Sequence, residues 1–197
     1  MGALAIDPKV WGPSAWWVLH TAAAKAAHKG DPKSLHIFNN MVTSFDCLLP
    51  CETCRDNFKQ HMTNNKLPRT ASGLPGWVYR LHNAVNAVNA ATFQSPSSPS
   101  KRAALLSVYS QKCNLAADQS ALVTKAAPFL AFLDQRLCTR DKIRGFADGI
   151  AYFFDTSPVP EAALKSSHGF KRWLGVTALH VKSCSGTCTQ KGGCDCA

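Results

Sequence analysis

An all-α fold is predicted: a four-helix bundle followed by an additional helical module and a cysteine-rich flexible tail. Two observations predict it. Apolar residues recur at helical spacing in four successive segments before residue 92, and Pro, Gly or paired Asn interrupts the pattern at the joints between them. A Ser/Pro stretch then separates these four segments from a second helical series.

The first helix is expected from Ser14 to about Lys29, after Pro13, with Trp16, Leu19, Ala23 and Ala27 at helical spacing. Trp16 and His20 are four apart and share a face. Asp31 followed by Pro32 is a helix start, an N-cap with Pro at the first helical position. Leu35, Phe38, Met41, Val42 and Phe45 then form the buried stripe of a second helix, which stops before Pro50. The third begins at Pro50 or Cys51, carries Cys51, Cys54, Phe58 and Met62 along one side, and ends near Asn64 and Asn65. The fourth runs from about Leu74 to Ala91, with Trp77, Leu81, Val85 and Val88 inward and His82, Asn86 and Asn89 on a polar strip. Short joints make this an antiparallel bundle.

The domain boundaries follow: 1–94 for the bundle, 95–100 for the linker, 101–182 for the additional module and 183–197 for the tail. Within the module, helices are expected over Lys101–Cys113, Ser120–Leu137, Thr139–Phe154 and Pro160–Leu179, with Pro128 bending or breaking the second. The tail is rich in Gly, Ser and Cys and cannot build a core.

Composition narrows the function classes. Of 197 residues, 46% are hydrophobic, enough for a core without disulfide staples. Lys and Arg outnumber Asp and Glu 22 to 12, for a net charge of +10, but the basic residues are scattered and read as a solvated surface. The best apolar stretch, Ala121 to Leu137, is broken by Lys125, Pro128, Asp134 and Arg136, so no membrane span is expected. The N-terminus lacks the basic and apolar regions of a secretion signal. Nine cysteines in a chain without such a signal favour catalytic use for some of them.

The catalytic candidates are Cys51 and Cys54. A thiol is a nucleophile only as thiolate, and amides at a helix N-terminus stabilise that anion. Three residues apart on one face, the two sulfurs can cycle between dithiol and disulfide. A static disulfide, or half of a zinc site, uses the same spacing. Electrons from a redox pair need an acceptor, and Trp16, His20, His82 and Asn86 can line a slot for a planar, hydrogen-bonding cofactor.

Three ordered motifs resemble those of the Erv/ALR family of FAD-dependent sulfhydryl oxidases, over roughly Trp11 to Phe93. They are Gly12, Trp16 and His20; Pro50 with Cys51 and Cys54; and Trp77, His82, Asn83, Val85 and Asn86. The resemblance implies a four-helix bundle with FAD at its mouth. Gly12, Trp16, His20, Trp77, His82, Asn83, Val85 and Asn86 then form the cofactor site, with Cys54 nearest the flavin. It also implies protein dithiols as substrates, molecular oxygen as acceptor, peroxide as product, and a homodimer; the second half of the chain offers the alternative of a pseudo-dimeric monomer. Two departures concern the flavin pocket: Leu49 stands where the family usually has an aromatic residue, and Ala91 where it usually has Lys. The usual downstream structural cysteine is not evident after Phe93, and the second half is expected to replace it by packing.

Family members commonly add a mobile cysteine pair that shuttles electrons. Cys194 and Cys196, preceded by Gly192 and Gly193, are the candidates, with Cys184 and Cys188 as the alternative pair. A zinc knot of these four thiolates is the competing reading. Cys47 is expected as a buried small hydrophobe; Cys113 and Cys138 either staple the additional module or stay free core thiols. The rival function is a non-catalytic zinc-binding module that holds nucleic acid through its positive charge, in which the histidine–asparagine strip has no place. Disulfide chemistry without a leader suits the cytoplasm of a virus-infected cell or a virion, since some large DNA viruses carry such enzymes, or else the mitochondrial intermembrane space.

Overall fold

The computed structural model describes residues 7–88 and 115–175, and every regular element among them is helical. The expected linker, the helix over Lys101–Cys113 and the tail lie outside the described residues. Among the described residues no helix is long and apolar enough to cross a membrane.

Helix α1 spans Pro8–Lys29, starting six residues earlier than expected. Asp7 is the reason: its carboxylate accepts the Lys9 N–H at 2.9 Å and Pro8 takes the first helical position. Pro13 therefore lies inside the helix. It removes the bond to the Lys9 carbonyl, and Lys9 is exposed, where water can serve instead. Helix α2, Pro32–Thr43, starts as the sequence predicts, with Asp31 accepting the Ser34 N–H at 2.6 Å. A single helical turn, α3 (Phe45–Leu48), leads to α4 (Glu52–Asn64), and a 3₁₀ turn at Ala71–Gly73 leads to α5 (Leu74–Val88).

The second half supplies α6 (Gln119–Phe132), α7 (Arg140–Phe154) and α8 (Ser167–Trp173). Pro128 sits within α6, and the carbonyl it leaves without a donor belongs to exposed Thr124. The helix expected over Pro160–Leu179 is instead a 3₁₀ turn at Ala163–Lys165 followed by α8. Ser166 divides them: its backbone is extended, and its hydroxyl accepts the Gly169 N–H at 3.0 Å, an N-cap in the middle of an otherwise helical pattern.

Helix α1 is the axis of the molecule. It packs on α2, α5, α6 and α7, and from Val18 to Ala26 every residue is buried, so the single apolar stripe expected for it is a nearly complete sleeve. Trp11 meets Phe129 of α6, Trp17 meets Phe154 of α7, and Trp16 faces α5. Lys25, also buried, donates to the Ala117 carbonyl, lies 3.8 Å from the Asp155 carboxylate and sits over the Phe154 ring. Phe45, Phe129 and Phe146 pack against one another, and Phe146 continues to Phe170. One core thus runs through both halves. Helix α7 lies so close to α2 that a Cβ at Gly149 would stand 2.6 Å from Met41, and one at Gly145 would stand 3.0 Å from the Asn40 carbonyl oxygen.

The cysteines depart from expectation. Cys47 is not a lone buried thiol, and Cys138 neither pairs with Cys113 nor stays free: the two are bonded to each other across 91 residues, with their Cα atoms 5.3 Å apart. Partners so distant in sequence become neighbours only through the packing of α6 and α7 on the bundle. The second half therefore holds the first covalently as well as by packing.

Candidate redox site

Leu49 leaves α3 in an extended conformation and Cys51 is extended again, so the chain straightens before α4 begins. Cys51 is the N-cap of α4: its sulfur accepts the Cys54 N–H at 3.2 Å, and its carbonyl accepts the Arg55 N–H at 3.0 Å. One helical turn sets the Cys51 and Cys54 Cα atoms 5.1 Å apart, and the two are joined as a disulfide. Both are partly buried against the core. On reduction, the charge arising on the Cys51 sulfur meets the positive end of the helix. Among the described residues no group of three or more His, Cys, Asp or Glu is placed to hold a metal, and the tail cysteines that the zinc reading would add lie outside them.

Arg55 belongs to none of the three motifs. Its side chain is nearly fully buried, and a guanidinium N–H donates to the Leu49 carbonyl at 2.7 Å. The reach is from the first turn of α4 back over the two residues that precede Cys51. Its signal in the sequence is slight, a charged residue directly after the second cysteine.

A second cluster forms where α1 meets α5. Trp16 stacks on His82, ring centroids 3.9 Å apart and planes 11° from parallel, and His20 shares a 3.1 Å hydrogen bond with His82, one imidazole N–H donating to the other ring's bare nitrogen. Burial first, then the neighbouring His82, brings the His20 pKa down to about 3, and burial brings His82 down to about 4. Both rings are therefore neutral near pH 7, each with one donor and one acceptor nitrogen. Asn83, Val85 and Asn86 follow on α5, partly buried.

Gly12 lies one turn before Trp16. A Cβ built there meets no atom of the described residues within 4 Å, so packing among them does not demand this glycine, although glycine inside a helix costs about 0.5–1 kcal/mol relative to alanine. A group docked against that side of α1 would supply the reason. Trp77 stands apart from the cluster. It is fully buried, edge-on to Phe38, and its indole N–H donates to the Asn65 carbonyl at 3.0 Å, tying α5 to the end of α4. The structure thus brings Trp16, His20 and His82 together, sets Cys51 and Cys54 on α4, which packs on α5, and places Trp77 in the core. Two surface hollows lie elsewhere, one beside Asp118 and Val123, the other, of about 150 Å³, beside Lys25, His28 and Asp155. The tail candidates Cys184, Cys188, Cys194 and Cys196 lie outside the described residues.

Residues 13–102 match the model of the Erv1 / Alr family. A protein of Invertebrate iridescent virus 3 named "Putative FAD-linked sulfhydryl oxidase 096R" is 32% identical over 86 residues, 42% of this chain and 58% of the viral protein. The chain thus spans little more than half the length of that relative. No solved structure matches it.

Proposed function

We infer that the chain, whose residues 13–102 match the Erv1 / Alr family model, is a FAD-linked sulfhydryl oxidase that forms disulfides in protein dithiols and passes their electrons to oxygen, yielding hydrogen peroxide. The observation that carries this reading is the Cys51–Cys54 pair at the start of α4, with the sulfur of Cys51 already accepting a backbone N–H. A substrate thiolate attacks Cys51, the Cys51–Cys54 bond breaks, and Cys54 leaves as thiolate. The second substrate thiol, deprotonated, then displaces Cys51 from the mixed disulfide. Substrate is left as disulfide and the pair as dithiol, two electrons having moved inward. Bound FAD would accept that electron pair and hand it to oxygen.

The residues between α1 and α5 fit a flat heteroaromatic group. Trp16, His20 and His82 form an aromatic wall with neutral hydrogen-bonding rings, Asn83, Val85 and Asn86 extend it along α5, and at Gly12 no described residue comes within 4 Å of where a Cβ would stand. Neutral imidazoles direct a donor and an acceptor at a ligand without a positive charge. Cys54, on the helix beside α5, is the sulfur assigned to the cofactor side, and Cys51 the one met by substrate.

The tail pair Cys194 and Cys196, or alternatively Cys184 and Cys188, is proposed to collect electrons from substrate and pass them to Cys51 by the same exchange. An absorbance scan tests the assignment: purified protein reconstituted with FAD should show flavin bands that bleach on anaerobic addition of dithiothreitol and return with air. Protein that stays colourless after reconstitution defeats it.

A further inference from the structure

We propose that residues 133–142, the joint between α6 and α7 together with the first turn of α7, are a clamp on the redox centre: they hold α3, and through it the short step that sets Cys51 at the start of α4. The proposal rests on the reading of Cys51 and Cys54 as a redox pair. It assigns a positioning role to Asp134, Cys138 and Lys142, none of which belongs to the bundle.

Three consecutive residues of α3 are tied to this segment, each by a different kind of bond. The Asp46 carboxylate is paired with the Lys142 ammonium, Cys47 is bonded to Cys138, and the Leu48 carbonyl accepts the Asp134 N–H at 2.9 Å. The next carbonyl, that of Leu49, is taken by Arg55 from within α4. Pro50 follows with its φ restricted by its ring, and then Cys51. Only three peptide units separate the clamped Leu48 from Cys51, a span of at most about 11 Å even if straight, so little slack remains between the tie and the sulfur.

A staple that merely joined two halves of a core could fall anywhere along α1 or α2. These ties instead crowd into the turn immediately before the reactive pair. They bear on chemistry because thiolate stability at Cys51 depends on the sulfur keeping its place at the first amides of α4.

Two variants of the full chain test the clamp. One carries Cys47→Ala together with Cys138→Ala, which leaves neither partner of the bond as a free thiol; the other is Lys142→Met, which removes the pairing with Asp46. The first measurement is the equilibrium in which two glutathione thiols reduce the Cys51–Cys54 disulfide to the dithiol and become glutathione disulfide, read by alkylation and mass of the peptide carrying both cysteines. The second is the rate at which iodoacetamide alkylates Cys51 in the reduced protein at pH 7.

Releasing the clamp should make Cys51 alkylate several-fold more slowly and shift the exchange constant about tenfold toward the protein disulfide, about 30 mV more reducing. Lys142→Met should act in the same direction but more weakly, because α3 loses only its pairing through Asp46 and keeps the disulfide and the Leu48 bond. A double variant with native circular dichroism but unchanged exchange and alkylation would overturn the proposal, leaving the Cys47–Cys138 bond a staple. Should that variant fail to fold, Lys142→Met decides alone: unchanged or faster alkylation overturns the clamp. Neither measurement needs flavin or turnover, so a colourless protein would defeat the oxidase reading while leaving this one intact.

Discussion

The two sides of α1 are built from different materials. Toward α5 it presents Trp16 and His20, which meet a stacked, hydrogen-bonded imidazole. Toward the second half it presents Trp11 and Trp17, which meet Phe129 and Phe154, and beside it α2 and α7 approach through Gly145 and Gly149. The first side carries polar groups that burial holds neutral. The second is close-packed and apolar, with Lys25 as its buried charge. One helix thus separates a surface suited to a ligand from a seam suited only to itself, and perturbations of the two sides should read out differently.

The largest effect is expected at the redox pair. Cys51→Ser should abolish thiol-dependent oxygen uptake while leaving the thermal unfolding midpoint close to that of the parent, because the serine hydroxyl can still accept the Cys54 N–H. A loss of both together would mean the pair is structural.

Next comes acidity. His20 and His82 are held at about 3 and about 4, below the 6.5 of an unperturbed histidine, so below pH 6.5 the unfolded chain binds protons that the folded chain refuses. Stability from this source is complete above pH 6.5 and is lost as pH falls, by about 2 kcal/mol per histidine at pH 5. Urea denaturation at pH 7.5 and pH 5 measures it, and His20→Gln with His82→Gln should flatten the dependence.

The seam is tested by Gly149→Ala. The new methyl would collide with Met41, and the overpacking should cost about 1–3 kcal/mol, measured by urea denaturation. Flavin bands should be unaffected in the folded fraction. The smallest effect, about 1 kcal/mol, is expected for Trp77→Phe, which removes the N–H bonded to Asn65. Because Trp77 is a motif residue placed in the core, its substitution should lower stability and leave Cys51 alkylation unchanged. A shift in alkylation would move Trp77 to the chemical side of the comparison.

The same contrast explains what was legible in the sequence. Histidine, tryptophan and cysteine at fixed spacings are unusual enough to announce the ligand side, and Asp31 with Pro32 announces a helix start on local chemistry alone. Cys51 was placed at a helix start for the same reason. The seam offers no such signals, since Phe, Ala and Gly at helical spacing look alike wherever they pack. The Cys47–Cys138 bond was invisible because it depends on the packing of elements 91 residues apart. Between Pro160 and Leu179 the periodic pattern concealed a break because a single hydroxyl, that of Ser166, outweighs it locally. Arg55 escaped notice because a basic residue on a helix is ordinarily solvated, and only the fold shows it turned inward to a carbonyl.

The sleeve around α1 has a practical corollary for anyone seeking a shorter version of the chain. A fragment cut to the matched segment, residues 13–102, would strip the cover from Trp17 and Phe45, and would strand Cys47 without its bonded mate. Bare aromatic ground of that kind invites self-association, so the shortened product should collect as aggregate, and trimming would have to be accompanied by polar replacements along the uncovered flank.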